Sequence, residues 1–144
     1  MMSSDHEMSN LLAAFDFAQA SAAAETAHRQ EMETLLLAII EVIDSLQTLD
    51  THYGDLAGSG GARVPIRGTG VIVKQALKAI TEAGVVPMNC TSQPVDLLFH
   101  EVIEVRPAAG VAADTVLEEV QRGYVWRNKV LRHAKVVIAG EANE

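Results

Sequence analysis

Asp96, His100 and Glu101 stand as D-x-x-x-H-E, residue types and spacing that acid–base chemistry uses. A histidine beside carboxylates can take up and return a proton near neutral pH. Here the pattern resists that use. The residues from Glu101 to Val105 are β-rich, and neighbours on a strand point to opposite faces, so His100 and Glu101 would not address one substrate atom. A structural role for His100 is the better reading. The other histidines, His6, His28, His52 and His133, are scattered, and none stands in a recognised metal-ligand motif. The single cysteine, Cys90, sits in N-C-T with no local sign of an activating base. No catalytic residue, metal site or cofactor is expected, and the chain does not read as an enzyme.

Composition narrows the classes further. Hydrophobic residues make up 49% of the 144 residues but aromatics only 4%, which suits helix seams and a small sheet better than an aromatic-lined pocket. A net charge of −8 argues against nucleic acid or anionic lipid as the main partner. One cysteine permits no intrachain disulfide, and a reducing cytosol is the default expectation. No basic residue other than histidine precedes Arg29, so the charged start of a signal peptide is missing. The aliphatic run from Leu35 to Ile40 is far too short to span a bilayer.

The elements follow from pattern. No Pro or Gly occurs from Met1 to Tyr53, and Ala is dense from Ala13 to Ala27, so Ser9 to Asp50 reads as one long helix or two abutting ones. Its apolar stripe includes Leu36, Ile39, Ile43 and Leu46 at spacings of three and four. A second helix is expected from about Thr69 to Ala83, with Val73, Leu77 and Ile80 on its apolar face and Gly84 stopping it. The stripe could be the core of a monomeric bundle. Two helices cover it poorly, however, so burial in a homodimer is preferred, with these seven residues at the interface. Between the helices, the glycines from Gly54 to Gly70 read as a flexible connection, not a phosphate loop, because neither G-K-[S/T] nor G-x-G-x-x-G is present.

After Gly84 the segments Val85 to Met88, Glu101 to Val105, Thr115 to Trp126 and Lys129 to Ala139 are β-rich. Arg127 and Asn128 fall at a tight hairpin turn. The fold class is therefore α+β. A helical stem and dimerisation region is expected over 1–84, with a flexible loop over 51–68, and a small β-domain over 85–144. Five of the eleven Lys and Arg residues, Arg122, Arg127, Lys129, Arg132 and Lys135, lie in the last part of this domain, with no acid from Val120 to Gly140. Such a hairpin is either a solvated strand face or a patch complementary to an acidic protein surface. Trp126, near its tip, is either core or an aromatic anchor.

Several segments stand in one order: I-I-E-V-I-D-S-L from Ile39, K-Q-A-L-K-A-I-T-E-A-G-V from Lys74, P-V-D-L-L-F-H-E-V from Pro94, Q-R-G-Y from Gln121 and L-R-H-A-K-V-V-I from Leu131. Together they resemble the GrpE family, the nucleotide exchange factors of DnaK-type chaperones. The resemblance implies a homodimer with paired N-terminal helices, a four-helix bundle and two β-domains. One β-domain docks on the chaperone's ATPase domain and opens its nucleotide cleft without touching nucleotide. By position, Val120 falls on an apolar contact site and Lys129 on a basic one. Arg122, Arg132 and Ile138 lie in the same matched segments and are expected at the same contact. Gly84 matches a junction glycine. The family's basic stem element, E-N-x-x-[K/R]-R, has no counterpart near Phe15 to Gln19, which reads F-D-F-A-Q. That loss leaves a second expectation open: a structural dimer adaptor that keeps the scaffold without promoting exchange.

Overall fold

The computed structural model describes residues 2–57 and 68–141, with the side chains of 3–49 and 68–141. Two helices come first, α1 (Met2–Ala57) and α2 (Thr69–Glu82). Six strands follow: β1 (Val85–Pro87), β2 (His100–Pro107), β3 (Val116–Gln121), β4 (Tyr124–Trp126), β5 (Lys129–Arg132) and β6 (Ala134–Gly140). The α+β class expected from the pattern is what the chain adopts. It divides into two units, Met1–Ala38 and Ile39–Glu144.

In the first unit, α1 presents Met8, Leu11, Leu12 and Phe15 to solvent at spacings of three and four. Alanine carries the helix where no packing supports it. The hydroxyls of Thr26 and Thr34 donate to carbonyls four residues back, at 2.9 Å in each case, which satisfies polar groups that would otherwise compete with the backbone. α1 is a single helix and continues past Gly54 to Ala57. The connection expected over 51–68 therefore begins later. One glycine costs a helix only about 1 kcal/mol, too little to end it. The rest of that connection, 58–67, lies outside the described residues.

In the second unit, Ile40 and Ile43 are buried by their own chain, as are Val73 and Ile80 of α2. Leu36 is also buried. Covering Ile43, Val73 and Ile80 thus needs no second copy. Ile39, Leu46 and Leu77 are only half-buried, while Val42 and Leu49 are exposed. The apolar face left open on this part of α1 is therefore Ile39, Val42, Leu46 and Leu49, rotated from the stripe first expected.

α2 ends as the sequence implies: Gly84 takes φ +93°, a conformation that glycine alone adopts without strain. The strands then form two three-stranded sheets, ordered β1-β4-β5 and β2-β6-β3. In the second sheet β6 is central, parallel to β2 and antiparallel to β3. Cys90, Val116, Ala134, Val136 and Ile138 form its core, with Met88, Val95 and Val102 packed against them. The stretch expected as one strand from Thr115 to Trp126 is two strands in different sheets, and Lys129 to Ala139 breaks at His133. Gly123 is the reason. A Cβ there would stand 2.5 Å from both the Ala134 nitrogen and Met88 Sδ, and 2.9 Å from the Arg132 carbonyl oxygen. Only a residue without a side chain lets the chain cross between the sheets at this point.

Candidate functional site

The D-x-x-x-H-E segment is a folded turn. Leu98 N–H donates to Asp96 Oδ1 at 3.0 Å, and the Phe99 and His100 amides donate to the Asp96 carbonyl at 3.0 and 2.8 Å. The Asp96 amide donates to His100 Nδ1 at 3.0 Å. His100 is buried and Glu101 exposed, so the two face apart as their strand positions require. The Cys90 thiol donates to Glu119 Oε2 at 2.9 Å. Burial, then this hydrogen bond and the Glu119 charge, push the thiol up to about 12. It stays protonated at neutral pH and is a poor nucleophile. These residues close a loop and fill a core.

The basic segment is sorted by its contacts. Arg122 Nε pairs with Glu119 Oε1 at 3.1 Å, an ion pair at the surface. Arg132 forms a forked pair with Asp44 of α1, Nη1 to Oδ2 at 2.6 Å and Nη2 to Oδ1 at 3.3 Å. Arg127 lies over the Trp126 ring, 4.7 Å from its centroid, and Arg132 over the Tyr124 ring at 5.5 Å. Lys129 and Lys135 are exposed. The turn between β4 and β5 is built from Arg127 and Asn128, with φ of 50° and 62°, the two-residue geometry that matches strand twist. It holds Arg127 and Lys129 at the hairpin's end.

Val120 sits at an irregularity in the β3–β6 register, between Glu119 and Gln121, and is 53% exposed. A bulge turns one side chain out of its expected alternation. Ile138, by contrast, is 6% exposed and belongs to the core of the β2-β6-β3 sheet. Of the five residues expected at one contact, Val120, Arg122 and Lys129 are exposed, Arg132 is mostly covered in its pair with Asp44, and Ile138 is buried.

Trp126 resolves as core. Its Nε1–H donates to the Ala83 carbonyl at 3.2 Å, satisfying one of the acceptors left open at the end of α2. Asp44 was not singled out from the sequence. As the sole acid among Val42, Ile43, Ser45 and Leu46, it gave a weak signal, and its partner lies 88 residues away. Among the described residues, no three His, Cys, Asp or Glu side chains are grouped as a metal ion would need, and no helix is long and apolar enough to cross a membrane.

The comparisons with known proteins agree on one family. The family described as GrpE matches residues 6–140. The chain is 34% identical over 116 residues to Protein GrpE of Prosthecochloris aestuarii, covering 80% of this chain and 56% of that one. It is 31% identical over 109 residues to Protein GrpE of Chlorobaculum tepidum, covering 75% and 56%. It is 34% identical over 101 residues to Protein GrpE of Leifsonia xyli subsp. xyli, covering 70% and 42%. The chain thus spans about half the length of these curated relatives. With a match that runs from the first turns of α1 to the end of β6, the chain belongs to the GrpE family.

Proposed function

We propose that this chain is a nucleotide exchange factor and co-chaperone that promotes ADP release from a DnaK-type chaperone by binding and opening its ATPase domain. The observation that carries this is the exposure of Val120 on β3 and of Arg127 and Lys129 at the β4–β5 turn in an otherwise acidic chain. Val120 and Lys129 match the family's apolar and basic contact sites. Val120 supplies apolar area to bury, and the hairpin cations steer an acidic lobe into register. Arg122 contributes at the rim. Ile138 acts from inside, as part of the core that supports β3 and so Val120.

The physical mechanism is linkage. A factor that binds the open conformer better than the closed one lowers ADP affinity by the same factor that ADP lowers its own binding. A hundredfold loss of ADP affinity needs about 2.7 kcal/mol of preference for the open state, within reach of a small interface. No residue of this chain need touch nucleotide.

The working species is a homodimer. Ile39, Val42, Leu46 and Leu49 offer one copy of α1 an unfilled apolar face at alternating spacings of three and four, the pattern of a helix seam. Met8, Leu11 and Phe15 repeat that spacing in the first unit. Light scattering should give twice the chain mass at micromolar concentration, and a stable monomer would rule this assembly out. For the activity, labelled ADP is chased from a DnaK-type chaperone in a stopped-flow instrument. Release should accelerate with added protein. Binding without acceleration would favour the second reading, a homodimeric structural adaptor, which the absence of basic residues from Phe15 to Gln19 supports.

A further inference from the structure

We infer that Arg132 is a positioning residue for this exchange reaction: its forked pair with Asp44 fixes the orientation of the β4–β5 hairpin on α1, and so the angle at which the hairpin meets the chaperone. The inference rests on the exchange function proposed above. Arg132 leaves little for a partner to grip. Its side chain is 16% exposed and that of Asp44 29%. Beyond the two bonds to Asp44, Nε and Nη2 donate to the Arg122 carbonyl at 3.0 and 2.6 Å. One planar set of donors therefore joins three parts of the fold: β5, the link between β3 and β4 just before Gly123, and α1. A lysine would keep the charge but could not reproduce that fork.

A second tether lies on the other helix. Trp126 of β4 donates to Ala83 at the end of α2. Two anchors on two helices hold the hairpin against rotation, whereas one alone leaves a hinge. β5 places Lys129 and Arg132 at opposite ends of four residues, the first exposed and the second tied down. A rim cation such as Lys129 should govern how often the partner is captured. The Arg132–Asp44 pair should govern what capture accomplishes.

The test separates these roles. The 144-residue chain and its variants are titrated against chaperone loaded with labelled ADP, and the half-saturating concentration is read separately from the release rate at saturation. Asp44→Ala and Arg132→Lys should each lower the saturating rate about tenfold while shifting half-saturation less than about threefold; Lys129→Glu should do the reverse. In parallel, nitroxides on Glu41→Cys and His133→Cys, both exposed positions, report the distance between α1 and the β-domain by pulsed spin resonance. Labelled chains are diluted with unlabelled ones to isolate the intrachain distance, and buried Cys90 stays unlabelled. A narrow distribution should broaden in both anchor variants. If Asp44→Ala fails to fold by circular dichroism, Arg132→Lys decides. An unchanged saturating rate with an unchanged distribution would overturn the inference and leave exchange intact. If the parent protein does not accelerate ADP release at all, the exchange function falls, and the distance measurement alone decides the anchor.

Discussion

The sheet β2-β6-β3 carries its own core: Val136, Val137, Ile138 and Ala139 of β6 are all buried between their neighbours. The sheet β1-β4-β5 has three short strands, and its longest, β5, has no buried residue. Val85, Tyr124 and Trp126 are buried in it, and directed contacts are added to that burial, the Trp126 indole on Ala83 and the Arg132 fork on Asp44. Burial is non-directional and tolerant of small shifts, whereas a hydrogen-bonded fork fixes angle as well as distance. The sheet β2-β6-β3 thus rests on burial along its whole central strand. The sheet β1-β4-β5 adds orienting contacts to a smaller buried set, and it carries exposed Arg127 and Lys129 at its turn.

That contrast can be broken in order of effect. Ile138→Ala should cost about 2–5 kcal/mol, the range for emptying a core site, read from denaturant midpoints. A loss confined to chaperone binding, with stability kept, would place Ile138 at the contact instead. Gly123→Ala should cost about 1–3 kcal/mol by overpacking, since the new methyl meets backbone on two sides, and thermal melting should show it. A neutral result would mean that the sheets do not cross so closely. Trp126→Phe removes one hydrogen bond and part of a buried ring, and should cost about 1–3 kcal/mol. Amide exchange should speed up in β4 and β5 and not in β6. A uniform increase would erase the distinction between the two sheets.

The smallest effect at neutral pH concerns Cys90. Its thiol is raised from an ordinary value of 9.0 to about 12, so the folded chain holds this proton more tightly than the unfolded one. The corresponding stability is complete below about 9 and declines as pH rises through the interval up to the folded value. Tyr124, raised by burial and then by the Asp44 charge, acts in the same direction. Melting temperature should fall over this alkaline range, less so in Cys90→Ser. Rapid alkylation of the folded protein at neutral pH would contradict the burial assigned to Cys90.

What the sequence made legible was local. Gly84 ending α2, the Arg127–Asn128 turn, and His100 facing away from Glu101 each depend on a few adjacent residues. What it concealed was non-local. Thr115 to Trp126 reads as one β-rich run because nothing in its pattern announces that Gly123 passes the Arg132 carbonyl and Ala134 nitrogen. The apolar stripe of α1 was visible, but which edge its own chain covers depends on packing, so Val42 and Leu49 replaced Leu36 and Ile43 on the open face. Arg132 looked like one more cation of a basic hairpin until its pairing with Asp44 was in view.

The central claim is that the hairpin turn and Val120 form the surface that meets the chaperone. Its most direct test is amide exchange of the 144-residue chain with and without the nucleotide-free ATPase domain of a DnaK-type chaperone. Exchange should slow from Glu119 to Arg122 and from Arg127 to Lys135, and stay unchanged along β2 from His100 to Pro107. Protection confined to β2 or to the first unit of α1, with the hairpin unaffected, would contradict the claim.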